Sequence, residues 1–244
     1  MKLVIVNEVL GDKDFQSIMR AVNYWVPQCQ KSQTGWGTLF DSVEGITDFN
    51  KTYVEKSGES PFYLTERHSI RGDAGFHDWN DALKISYAYI SLKYSRFVYG
   101  KFHYPTVMKA HKIGPLTFPQ RIFGKFRIES QGLVTALLHE IFETIGDPQL
   151  ANISGKMAGT TLDSKGRAIF IENCDPVARE LIRWIDPLTK QDMAIPNFVY
   201  KSWFNLKAKN VQLDEMHLCH TPFEGALGGY YFQVLPDGRK VRVF

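Results

Sequence analysis

The chain predicts a single α+β domain. An apolar opening run, Leu3-Val4-Ile5-Val6, has the length of a buried strand. Two segments carry apolar residues at helical spacing, and short aromatic or β-branched runs bounded by Gly and Pro lie between and after them. No repeat, low-complexity tract or linker divides the 244 residues, so one domain over 1–244 with decorated loops is the simplest account.

Leu3 to Val6 reads as the first strand. A helix follows from about Phe15 to Val26, with Asp12 or Asp14 as its cap and Pro27 as its stop; Ile18, Val22 and Trp25/Val26 form its apolar face. Gly35-Trp36-Gly37 is a turn, and residues 50 to 61, with Ser57-Gly58-Glu59-Ser60-Pro61, read as a loop. Phe62 to Leu64 is a strand. The run Gly72-Asp73-Ala74-Gly75-Phe76-His77-Asp78 reads as loop and turn. Residues 83 to 90 and 95 to 104 look extended, and 109 to 125 irregular. Glu129 to Ile145 is the best helix of the chain, with Ser130 as N-cap and Gly146 and Pro148 as the stop. Residues 167 to 172 read as a strand, 196 to 204 as strand-like or irregular, and the tail from Gly228 as a hairpin around Pro236-Asp237-Gly238.

Composition removes several function classes. A net charge of +3, with no block of Lys or Arg, offers no nucleic-acid stripe. No phosphate-binding glycine motif and no G-x-S-x-G elbow occur. No stretch approaches the length of a membrane span, and the opening run is too short before Glu8 for a signal peptide. The three cysteines, Cys29, Cys174 and Cys219, are far apart and odd in number. That argues against a disulfide framework and against a thiolate zinc cluster, and it suits a reducing compartment.

The chemistry concentrates on the second helix. His139 and Glu143 stand four residues apart, one above the other on one face, where an imidazole and a carboxylate can share a divalent ion. Glu140 projects to the adjacent side. In H-E-x-x-H enzymes the Glu at this place takes a proton from water at the metal; here the second His is a Glu, giving H-E-x-x-E. Glu is common on helices, so the same residues also suit a solvated face. Against that stands the apolar run Leu133, Val134, Ala136, Leu137 and Leu138, which makes the helix core, where clustered acids need pairing or a metal. Asp147 continues the series but suits a C-terminal turn better than a ligand. The best candidate for a third ligand is Glu172, at the end of an apolar strand; Asp175 competes with it, or orients His139.

The ordered set of these motifs resembles a family of uncharacterised tailed-bacteriophage proteins. The residues that carry the resemblance are Leu138-His139-Glu140-Ile141-Phe142-Glu143, Asp147-Pro148, Glu172-Asn173-Cys174-Asp175-Pro176-Val177 and Asn197-Phe198-Val199. Gly75-Phe76-His77-Asp78, Trp36-Gly37 and Gly228-Gly229-Tyr230 complete the set. The segment from Val177 to Asp192 is longer and more charged than the family pattern, and Tyr200 stands where Pro is frequent. The resemblance implies a zinc-metallopeptidase-like fold, a mixed sheet packed on a central metal-site helix. It implies zinc held by His139, Glu143 and Glu172, Glu140 as general base, and His77 over the cleft as a transition-state donor. It also implies either hydrolysis of a peptide or protein substrate, or a non-catalytic role among other virion proteins. The expected place is the virion or the host cytoplasm during assembly.

The remaining histidines carry less. His217, Cys219 and His220 would split across two faces of a strand and have no partner pair at finger spacing. His68, His103 and His111 read as structural or surface residues.

Overall fold

A computed structural model describes residues 1–66, 74–95, 98–99, 132–148, 160–163, 165–178, 180–226, 229–235 and 239–243. His68, His103, His111, Ser130 and the segment 109 to 125 lie outside these residues. The architecture is α+β with mixed sheets, as expected.

The main sheet contains β1 (Lys2–Asn7), β2 (Ser42–Thr47), β3 (Glu59–Thr65), β4 (Gly75–Asn80) and β5 (Ile85–Ser91), in the order β2-β1-β3-β5-β4. Four strands run parallel, and β4 is an antiparallel edge strand against β5. The two long helices, α1 (Asp12–Gln30) and α3 (Leu133–Gly146), pack with one face of this sheet; the short α2 (Leu92–Ser95) follows β5. Strand alternation sorts the two faces. Leu3, Ile5, Phe62, Leu64, Ala88 and Ile90 turn to the helices, while Val4, Val6 and Tyr63 turn to a smaller apolar cluster on the other side.

Beyond α3 the chain builds a second small core. β6 (Thr160–Leu162), β7 (Ala168–Phe170), β10 (Tyr231–Val234) and β11 (Lys240–Val243) form a sheet in the order β11-β10-β7-β6. Its apolar face meets Trp203, Val199, Leu213 and Phe223. A hairpin of β8 (Leu181–Ile185) and β9 (Asp192–Pro196) reaches back, and Thr135 on α3 donates a hydrogen bond to the Ala194 carbonyl at 2.7 Å.

Several local expectations are corrected. α1 runs through Pro27 to Gln30. Proline removes one helical donor, but Val26 and Cys29 are buried, and Gln30 ties the helix end to the backbone of Leu39 and Phe40 through three hydrogen bonds. Its N-cap is Gly11; Asp12 and Asp14 sit in the first turn, where they favour the helix dipole. Pro61 lies within β3 rather than in a loop, at the end that β5 does not pair. His77 and Asp78 lie on β4, not in a turn. Residues 92 to 95 are helical, and Ser95 alone of these falls in the run expected to be extended. The hairpin β8–β9 was not anticipated: its turn is held by Asp186 rather than by glycine. The tail hairpin is present, β10 pairing with β11. Among the described residues no helix is long and apolar enough to cross a membrane.

Asp186 also ties that hairpin to α1. It is fully buried and takes a two-point ion pair from Arg20, at 2.9 and 2.7 Å. The Arg20 hydrogen bond holds the Asp186 carboxyl well below the usual carboxylate range, against the cost of burial. Arg20→Met should therefore cost about 2 kcal/mol at pH 7, less than a fully buried pair because Arg20 is partly exposed. A depressed carboxyl contributes stability above its unfolded pKa and loses it in acid. The gap between wild type and variant should narrow below about pH 4. Urea titrations at pH 7 and pH 3 check this; an equal gap at both would sink it.

Candidate metal centre

The site forms where α3, β4 and the segment after β7 converge. Strand register places His77 opposite Ala88, so it shares the helix-facing side of the sheet. Its Nδ1 lies 2.7 Å from Glu140 Oε2 and 3.9 Å from Glu143 Oε2. Asp78 faces the other way, its carboxylate accepting from the Tyr87 hydroxyl at 3.1 Å. Gly75, on the same face as His77, makes room: a Cβ there would stand 3.0 Å from both Cγ and Oε1 of Glu140.

On α3 the predicted one-face pair is present, with His139 Nε2 at 3.0 Å from Glu143 Oε1. Asp175 Oδ1 lies 3.7 Å from the same imidazole nitrogen. Two compact ligand groups result, His139 with Glu143 and Asp175, and His77 with Glu140 and Glu143. Asp147 belongs to neither and serves as the C-cap of α3, its N–H bonded to the Glu143 carbonyl at 2.8 Å. Glu172, the expected third ligand, is outside both trios, though its charge acts on Asp175. Asp175, the competing candidate, completes the His139 trio.

The segment 172–175 is docked to α3 by its own side chains. Asn173 is buried and donates from Nδ2 to the Phe142 carbonyl at 2.8 Å, and the Cys174 thiol points to the His139 carbonyl at 3.9 Å. Burial pushes the Cys174 thiol well up, and Cys174 belongs to neither ligand group. His217 and His220 are exposed, with His217 at φ +58°. Their loop is ordered by the buried Asp214 carboxylate, which accepts from the backbone of Met216, Leu218 and Cys219. Both lie outside any strand, contrary to expectation.

The electrostatics are those of crowded acids. Burial, then the charges of Glu143 and Glu172, lift Asp175 well above the usual carboxylate range, with His139 opposing. Burial pulls the His77 pKa down, but the Glu140 hydrogen bond and the charges of Glu140, Glu143 and Glu172 leave it raised overall. A divalent cation fits this donor set, which offers imidazole nitrogens and carboxylate oxygens within reach of one another. Glu172 Oε2 supports the fit: it is buried and has no hydrogen-bond partner among the described residues.

Sequence reasoning assigned no role to Tyr230. Its N–H donates to the Asp175 carbonyl at 2.9 Å, and Arg242 lies 3.5 Å over its ring. The Gly228-Gly229-Tyr230 motif was the available signal. Gly229 is needed because the tail lies directly on the 175–177 turn: a Cβ would fall 1.8 Å from the Pro176 carbonyl oxygen. Gly229→Ala must push the tail off this turn and take Tyr230 with it. The expected result is a loss of about 2 kcal/mol or more in stability, the cost of overpacking, and weaker divalent-ion binding. Thermal denaturation and competition with a chelating dye measure the two effects; unchanged metal affinity would show that Tyr230 does not position Asp175. Comparison with protein-family models, curated proteins and solved structures found no match to this chain.

Proposed function

We propose that the chain is a zinc-dependent hydrolase of peptide or amide bonds with a metallopeptidase-like fold. The observation that carries this reading is the trio His139, Glu143 and Asp175 beside a separate, hydrogen-bonded Glu140–His77 pair. It sets a trio able to hold an ion beside a carboxylate and an imidazole able to move a proton. His139 is partly exposed, as a site that admits substrate requires.

A zinc ion held by that trio, with Glu172 adjacent, would supply a Lewis acid and lower the pKa of water. Glu140 then takes the proton of the attacking water and passes it to the departing amine. His77 keeps Glu140 oriented through the 2.7 Å contact at Nδ1, and as an imidazolium it also carries a proton on Nε2 to donate to the oxygen of the scissile carbonyl. Asn173 and Tyr230 hold Asp175 from opposite ends of the same turn. The edge position of β4 supports a peptide substrate. Among the described residues no strand pairs with its outer side, and an extended peptide can add there as a further strand leading past His77.

The test uses the full chain loaded with zinc, a panel of unstructured peptides and mass spectrometry of the products. Cleavage should stop with a chelator and return with zinc. Glu140→Gln should lower kcat by about 10²-fold or more, in line with the loss of a general base, and still retain zinc in the His139 trio. A chain that takes up no divalent ion would sink the proposal, as would a Glu140→Gln variant with full activity.

A further inference from the structure

We infer that the site takes two divalent cations, bridged by Glu143, and that the second converts Glu140 from a base into a ligand. This rests on the metal-site reading above and extends it.

The geometry of Glu143 points this way. Its two oxygens face different imidazoles: Oε1 lies 3.0 Å from His139 Nε2, and Oε2 lies 3.9 Å from His77 Nδ1. Each imidazole has a further carboxylate of its own, Asp175 for His139 and Glu140 for His77. The result is two ligand trios, each with one nitrogen and two carboxylates, that share one residue. A carboxylate that turns one oxygen to each of two sites is the bridging unit of paired metal centres, in which ions sit about 3.5–4 Å apart.

Charge points the same way. Glu140, Glu143, Glu172 and Asp175 carry four negative charges when ionised, and Glu140, Glu143 and Asp175 are buried. One divalent ion offsets half of this charge; two offset all of it with both imidazoles neutral. The remaining acceptor capacity is there as well, since Glu172 Oε2 is buried without a hydrogen-bond partner among the described residues. The Glu172 charge acts on both His77 and Asp175, one from each trio. The mixed imidazole and carboxylate set suits first-row ions such as zinc or manganese.

The second ion would bind more weakly, because its trio must first give up the His77–Glu140 hydrogen bond. Hydrolysis should accordingly rise with the first equivalent of zinc and fall with the second.

The experiment is equilibrium dialysis of the metal-free full chain against zinc, with elemental analysis and circular dichroism on each variant. Two zinc ions per chain are expected in the wild type. His77→Ala should keep the first and bind the second at least about tenfold more weakly, as loss of a metal-site partner does. Glu143→Gln should weaken both. With manganese in place of zinc, electron paramagnetic resonance should show an exchange-coupled pair at two equivalents. Saturation at one ion would overturn the inference, and so would a second ion that survives His77→Ala in a folded protein, or two uncoupled manganese ions. The stoichiometry is read without substrate. Two ions without cleavage would therefore defeat the hydrolase reading alone, and cleavage by a chain that never holds more than one ion would defeat this inference alone.

Discussion

The structure is organised around the cost of placing several acids together in a poorly hydrated corner. Glu140, Glu143 and Asp175 are all buried, and the charge of Glu172 acts on Asp175. In water such groups repel weakly; under low dielectric the same spacing is expensive for every ionised pair. The chain answers with two imidazoles, one on α3 and one on β4, each within reach of two carboxylates. Burial and its acidic neighbours also raise Asp175, a shift that a cation bound there would oppose.

Holding that arrangement sets conditions on residues that do no chemistry. The sheet register must bring His77 to the helix side, which Ala88 and Ile90 on β5 secure through the β4 pairing. Gly75 must lack a side chain for Glu140 to lie where it does. Asn173 spends its amide on a carbonyl of α3, fixing the distance between the helix and Asp175. Gly229 lets the C-terminal tail close over the turn from behind. These constraints come from four separated stretches of chain.

This separation explains what could be read in the sequence. The α3 face was legible because the helical period places His139, Glu140 and Glu143 by arithmetic. β1 was legible because an apolar run of its length has few alternatives. His77 was singled out, but its strand was not recognised: Gly75-Phe76-His77-Asp78-Trp79-Asn80 has partly exposed residues throughout, as an edge strand does, and no clear alternation. The order of Asp175 and Glu172 around His139 was beyond sequence spacing, because both follow the same strand and only the 175–177 turn decides which side chain reaches α3. Tyr230 lies 55 positions beyond Asp175 and meets it solely through the docking of the tail. The hairpin β8–β9 was hidden for a local reason: its turn relies on Asp186, Thr189 and Arg20 rather than on Asn-Gly or Gly-Gly.

The shared position of Glu143 also constrains how catalysis and metal loading can coexist. A base must keep a free oxygen at the moment it takes a proton, whereas a ligand commits that oxygen to the ion. Glu140 stands on the boundary, bonded to His77 and one residue from His139. So long as His77 binds Glu140 through a proton, the carboxylate is oriented and remains available to water. Were that proton replaced by a cation, the same two atoms would become metal ligands. Under the two-ion proposal the same pair of side chains would serve proton transfer with one ion bound and metal binding with two.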